Sequence, residues 1–124
     1  MRNVAVVGLA PSTHDDAPYE DPAWEVWGLP WDEDRWPYFN RHFEIHPLDL
    51  LRKPEARRRV GYEDRLRSLN STLYMQTSYD EIPNATRYPI EQVVEYLNFD
   101  YFNSSMSYLM ALAITEGADK IGVW

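Results

Sequence analysis

The chain has 124 residues, 44% hydrophobic and 26% charged, with a net charge of −8 and no cysteine. That length and balance predict one globular domain with a core of its own. They exclude disulfides and thiolate metal sites, and they weigh against generic nucleic-acid binding, which requires neutralising phosphates. No apolar run approaches the roughly 20 residues that span a bilayer. The N-terminus shows no signal-peptide pattern, so the expectation is a cytoplasmic protein without a membrane association.

The first predicted element is Asn3-Val4-Ala5-Val6-Val7, a nearly continuous β-branched run ended by Gly8. Such a run reads as a strand buried on both faces, the kind found in parallel sheets between helices. In open sheets of this class, ligands sit at the carboxyl ends of the strands near the point where the strand order reverses. Gly8, Ala10, Pro11, Ser12 and Thr13 are therefore candidate ligand-binding residues, though Gly8 and Pro11 are equally the residues of a plain tight turn. The spacing is neither G-x-G-x-x-G nor a P-loop, which disfavours a classical dinucleotide site or an ATPase and leaves room for a looser nucleotide site that uses backbone N–H groups and the Ser12 and Thr13 hydroxyls.

Residues 13–22, with Pro18 and Pro22, predict a loop. Ala23 to Leu29 predicts a second strand closing near Gly28. The aromatic stretch from Trp31 to Asn40 predicts a short helical turn stopped by Pro37. Arg41 to Pro47 alternates, with Phe43 and Ile45 on one face and His42, Glu44 and His46 on the other, and predicts a third strand. Pro54 to about Leu69 predicts a helix weakened by Gly61. Thr72 to Thr77 predicts a fourth strand and 78–88 a polar loop. Pro89 opens a helix with Ile90, Val93, Val94 and Leu97 on one face. Asn103 or Ser104 caps a further helix with a stripe of Met106, Leu109, Met110 and Ala113, ending at Gly117. Lys120 to Trp124 predicts the last strand. Helices between strands and a buried first strand give a Rossmann-like α/β sandwich with a mostly parallel sheet of about five strands.

Charge is unevenly distributed. Eight carboxylates from Asp15 to Asp34 occur without a Lys or Arg, whereas Arg52, Lys53, Arg57, Arg58, Arg59, Arg65 and Arg67 hold seven of the twelve cations. This arrangement reads as solvated faces, or as a basic wall for a phosphorylated ligand. Asn103, Ser104 and Ser105 at a helix start suit an anion, and they suit simple capping as well. His42-x-Glu44-x-His46 spans about 13 Å along a strand at roughly 3.3 Å per residue, too far for one metal, so no metal site is expected. His46, at the carboxyl end of its strand, is the candidate general base or acid, with His14 the next choice. Among the aromatics Trp24, Trp27, Trp31, Trp36, Tyr38 and Phe39, core packing is expected for most and a base platform for an exposed member such as Trp31.

"VAVVGLAPST", "WEVWGLP" and "FNSSMSYLMALAITEGADKIGVW" together resemble the Rossmann-like nucleotide-binding domains of the bacterial sialyltransferase type. Its relatives, the MptE-like group, and small bacteriophage proteins look similar. Gly8, Pro11 and Ser12 match a G-x-G-P-S turn of that group. Ser104, Ser105, Ala113, Gly117 and Ile121 match its closing helix–strand unit. Ala10 stands in place of the group's usual Gly, and Leu29 in place of a frequent Asn. Past the position of Trp124 the group continues with a Gly-x-Asp bordering the site, so the resemblance implies either that a site wall is lacking here or that this is a shortened form. The resemblance implies a nucleotide or nucleotide-sugar as ligand, with Gly8, Ala10, Pro11, Ser12, Thr13, Gly28, Asn103, Ser104 and Ser105 around it, and transfer of a glycosyl or other group as the chemistry. The alternative is a non-catalytic bacteriophage accessory protein that sequesters a nucleotide or contacts a host protein. Self-association through the last strand or the aromatic 24–39 region is also expected.

Overall fold

The computed structural model describes residues 1–30, 39–56, 58 and 60–124. Its centre is a sheet of six strands, β1 (Asn3–Val7), β2 (Trp24–Gly28), β3 (Arg41–Glu44), β4 (Thr72–Met75), β5 (Ala85–Arg87) and β6 (Lys120–Val123). Their order is β5-β4-β3-β2-β1-β6, and every pairing is parallel. This is a Rossmann-like α/β arrangement. The helices are α1 (Leu48–Leu51), α2 (Tyr62–Ser68), α3 (Ile90–Leu97) and α4 (Ser105–Thr115).

Alternation along the strands divides the core. Val4, Val6, Trp27 and Phe43 face α3 and α4, packing on Val93, Leu109 and Leu112. On the other face, Ala5, Val7 and Val26 pack with Ala17 and Phe39, and Leu73 and Met75 pack with Leu48, Leu51, Tyr62 and Leu66. The interior strand β1 is fully buried from Val4 to Val7, as expected for a strand covered on both sides. No helix among the described residues is long and apolar enough to cross a membrane.

At the amino-terminal edge of the sheet an ionic lattice ties four segments together. Arg2 donates from Nε to Glu25 at 2.8 Å and from Nη2 to Glu116 at 2.7 Å; Arg41 donates to the second oxygen of Glu116 at 2.7 Å. The Arg41 guanidinium also lies 4.5 Å from the Trp27 ring centroid, a cation–π contact.

Several sequence expectations need correction. The sixth strand, β5, occupies part of the expected 78–88 loop; it is three residues long, at the sheet edge and partly polar, so no periodic signal marks it. The single helix expected over 54–69 is instead a 3-10 turn at Pro54–Ala56 followed by α2. Gly61 causes the break, with φ of 84° in the left-handed region that glycine tolerates. The short α1 was not expected. The buried stripe of α4 is Leu109, Ala111, Leu112 and Ala113, while Met110 is 37% exposed. β3 ends at Glu44, short of the expected Pro47. The helical turn expected over 31–40 falls largely outside the described residues, as do Trp31, Trp36 and Tyr38. The other aromatics of that set are packing residues. Trp27 and Phe39 are buried, and Trp24 meets Trp124 edge to face at 5.4 Å.

Candidate functional site

Three structural pieces meet at the carboxyl edge of the sheet. The first is the turn after β1. Gly8 N–H donates to the Trp124 carbonyl at 2.8 Å, continuing the β1–β6 ladder past the strand ends. The chain then folds back on Ala10, whose carbonyl accepts from the backbone of Thr13 and His14 and from His14 Nδ1. His14 is fully buried, its Nε2 lies 2.7 Å from Asp15 Oδ1, and its carbonyl accepts from the Tyr19 hydroxyl at 2.6 Å. It therefore staples the loop and is not placed to act as an exposed base, which corrects that expectation. Ala10, Pro11, Ser12 and Thr13 are exposed.

The second piece is the start of α4. Ser104 caps it in a reciprocal box: Ser104 Oγ accepts from Ser107 N, and Ser107 Oγ accepts from Ser104 N, both at 3.3 Å. The capping account of Ser104 is thereby the observed one. Ser104→Ala is expected to cost about 1 kcal/mol, the usual loss for a removed serine cap; chemical denaturation of the variant measures it. Met106, one turn in, approaches Gly8: a Cβ on Gly8 would lie 3.5 Å from Met106 Cε. The two end segments singled out in the sequence are thus neighbours. They flank the point where β1 has β2 on one side and β6, reached by the α3–α4 crossover, on the other.

The third piece is a cavity of about 340 Å³ over the carboxyl ends of β3, β4 and β5, lined by Ile45, Gln76, Thr77, Arg87, Tyr88, Ile90 and Tyr108. Tyr88 and Tyr108 meet edge to face at 5.3 Å, and the Tyr88 hydroxyl donates to the Tyr108 carbonyl at 2.6 Å. Burial pushes the Tyr88 phenol well above its ordinary range, so it stays a donor at neutral pH. Arg87 forms a two-pronged pair with Glu91. Tyr108 belongs to the second turn of α4, so the start of that helix stands between the cavity and the Gly8 turn.

No family model, curated protein or solved structure matches the chain. The site's chemistry is therefore read from its own atoms.

The residue after Ile45 is His46, which is not among the residues lining the cavity and whose ring lies against Glu44 and Arg58. Its Nδ1 lies 2.9 Å from Glu44 Oε2 and 3.3 Å from Arg58 Nη2, and its backbone N–H donates to the same Glu44 oxygen at 3.3 Å. Glu44 Oε1 accepts from the Tyr62 hydroxyl at 2.6 Å and from Arg58 Nη2 at 3.3 Å. Glu44 is 2% exposed, whereas the His46 side chain is 44% exposed. The buried carboxylate orients the ring, and Nε2 has no hydrogen bond to the described residues, which suits proton exchange with a ligand. Desolvation, reinforced by Glu44, raises the Tyr62 phenol far above its usual range and keeps it the donor in this set.

The remaining expected site residues fall elsewhere. Gly28 ends β2 with no room beside it, since a Cβ would lie 2.5 Å from the Phe39 ring; packing is its observed role. Asn103 is exposed and Ser105 half-buried at the α4 start. His42 points to Ser71 Oγ at 2.7 Å, away from any grouping with His46. No group of three or more His, Asp or Glu among the described residues is arranged to hold a metal. Sequence reasoning missed Gln76, Thr77, Arg87, Tyr88 and Tyr108 because they come from four elements without a shared local pattern. It missed Arg58 and Tyr62 as partners of Glu44 because no spacing rule links them to β3.

Proposed function

We propose that the protein binds a nucleotide or nucleotide-sugar at the carboxyl edge of its sheet. One observation carries the reading: the first turns of α4 border both the Gly8–Thr13 turn and the 340 Å³ cavity. That volume lies in the lower part of the range of about 300–1,000 Å³ for small-molecule sites. The cavity has what a base requires, tyrosine rings for contact with its faces and Gln76 and Thr77 for its edges. The N–H groups of Ala10 and Ser12, the hydroxyls of Ser12 and Thr13, and the N–H groups of Ser105 and Met106 that the capping box leaves over suit phosphate oxygens. The resemblance to sialyltransferase-type domains points to the same ligand class.

His46, held by Glu44, favours group transfer from that ligand over passive sequestration, because a purely binding surface has no use for an oriented imidazole at the strand end.

The test is a thermal-shift screen of nucleoside mono- and diphosphates, CMP-sugars and UDP-sugars. A ligand at about 100 times its dissociation constant adds roughly 2.7 kcal/mol of stability. Thr77→Trp, at an exposed position on the cavity wall, is expected to leave the unliganded melting temperature within a degree or two and to abolish the ligand-induced shift. A shift that persists in that variant removes the cavity from the site; a flat screen of the wild type removes the nucleotide. Recovery of the intact ligand after incubation would make the protein a sequestering binder.

A further inference from the structure

The opposite face of the sheet holds a second cavity, of about 420 Å³, between α1 and α2. Four cationic side chains line it, Arg52, Lys53, Arg58 and Arg67, against two anionic ones, Glu63 and Asp64. Among the described residues, two further carboxylates reach these cations from outside the lining, Glu44 on Arg58 and Glu81 on Arg52 at 3.9 Å, so four guanidinium and ammonium groups and four carboxylates gather at one concave place.

The arrangement of these charges is specific. Glu63 lies between two guanidiniums. Arg52 grips it with Nε and Nη2 at 2.6 and 3.0 Å, and Arg67 Nη1 lies 3.8 Å from it while also pairing with Asp64. Both arginines remain substantially exposed, at 47% and 38%, and both also reach Glu81: Arg67 Nη1 donates to its carbonyl at 3.2 Å and Arg52 Nη2 lies 3.9 Å from its carboxylate. Lys53 is exposed and has no side-chain ion pair among the described residues. The floor is stiffer: the Arg58 side chain is 9% exposed and is anchored to Glu44, with the Tyr62 ring 5.4 Å from its guanidinium carbon. Leu51, Pro54 and Tyr62 add carbon surface to the same cavity.

We propose that this cavity is a binding site for a phosphorylated small molecule, with Glu63 occupying the place of its phosphate when the site is empty. A carboxylate bracketed by two arginines presents the fork geometry that a phosphate oxygen pair also fits. A phosphate carries more charge and more acceptors than the carboxylate it displaces, and Lys53 supplies the additional cation. The apolar wall accommodates the organic part of an ester. The two cavities share no lining residue, although Arg58 and Tyr62 of this one also hold the Glu44–His46 pair, so ligand binding here is tested separately from the nucleotide reading.

Titration calorimetry with phenyl phosphate and with inorganic phosphate, at constant ionic strength set by chloride, tests the proposal. Phenyl phosphate is expected to bind more tightly than inorganic phosphate, and Lys53→Gln to weaken it by about tenfold, the loss of one charge-assisted hydrogen bond. Glu63→Gln, which removes the competing carboxylate, is expected to tighten binding by about tenfold. Glu95→Gln, an equal charge change on exposed α3, is expected to change it by less than about twofold. Thr77→Trp is expected to leave phenyl phosphate binding intact. Absence of heat at about 10 mM ligand, beyond the reach of a millimolar site, overturns the proposal. Equal effects of Glu63→Gln and Glu95→Gln overturn it too, as does loss of binding in Thr77→Trp. Equal affinity for the two anions overturns the assignment to an ester.

Discussion

Glu44→Ala is expected to destabilise the protein by about 3–5 kcal/mol, the loss that follows when one partner of a buried ionic set is removed. Glu44 is the common partner of Tyr62, Arg58 and both the ring and the backbone N–H of His46. Truncation takes the acceptor from all of them at once, inside a site with almost no access to water. Much of a small domain's stability, about 5–15 kcal/mol in total, depends on this one carboxylate. Glu44→Gln keeps the shape and an acceptor oxygen, so it is expected to lose less. Urea unfolding of the three proteins checks the order wild type, Gln, Ala. A second readout separates positioning from folding. In Glu44→Gln the His46 ring loses its carboxylate partner, and its ring resonances are expected to move while the fold persists.

Acidification is expected to remove about 3 kcal/mol of stability between pH 6.5 and pH 4 through His42 alone. Burial, with a contribution from Arg65, pushes its pKa down to about 4, against 6.5 for an ordinary histidine. The sign follows from proton uptake. Between those values the unfolded chain binds a proton that the folded protein refuses, so unfolding is favoured as pH falls. Above 6.5 neither state is charged at this position and nothing is lost; below 4 both are charged and the loss is complete. At 1.36 kcal/mol per pKa unit the difference reaches the stated size. The stability of His42→Gln, which cannot titrate, is expected to be flatter over the same range, and parallel slopes for the two proteins would refute the assignment. Glu25 and Glu116 act at lower pH. The Arg2 hydrogen bond chiefly lowers Glu25, and Arg41 and Arg2 lower Glu116 against the opposing effect of burial. Their contribution is present above the ordinary carboxylate pKa and fades as pH falls below it.

Legibility in the sequence followed the physics of each signal. β1 was readable because a strand covered on both faces must be apolar throughout, and Val4 to Val7 satisfy that with no competing pattern. α3 was readable because Ile90, Val93 and Leu97 keep helical spacing from a proline start to Asn98, which adopts the left-handed conformation at the cap. β5 was not readable: Ala85, Thr86 and Arg87 are held by backbone pairing to β4, which leaves no mark on side-chain choice. In α4, four small or apolar residues in sequence, Ala111 to Ile114, make several stripes equally plausible, and only the sheet beneath selects Leu109 and Leu112. Local reasoning marked Gly8 and Ser104 separately, as a strand-ending turn and a helix start, and the family resemblance joined them in one site. Alternation placed Glu44 and His46 on one face. What closes around them, Arg58 and Tyr62 on one side and Tyr88 and Tyr108 on the other, depends on long-range packing that no spacing rule encodes.

The placement of β1 carries a consequence in time. Its two neighbours in the sheet come from residues 24–28 and 120–123, and Arg2 meets Asp119 across 117 positions of sequence. At a synthesis rate of about 5–20 residues per second, β6 follows β1 by roughly 6–23 s. Through that interval β1 has one edge without a partner, the kind of apolar ribbon that recruits other chains. Closing so long a loop is also entropically slow. The Gly8–Trp124 hydrogen bond and the seating of Met106 against Gly8 both require the late partner. On the proposed function, the Gly8 turn becomes competent for ligand only once β6 is in place, and nascent chains are expected to gain the proposed nucleotide affinity in one step after residues 120–123 are made.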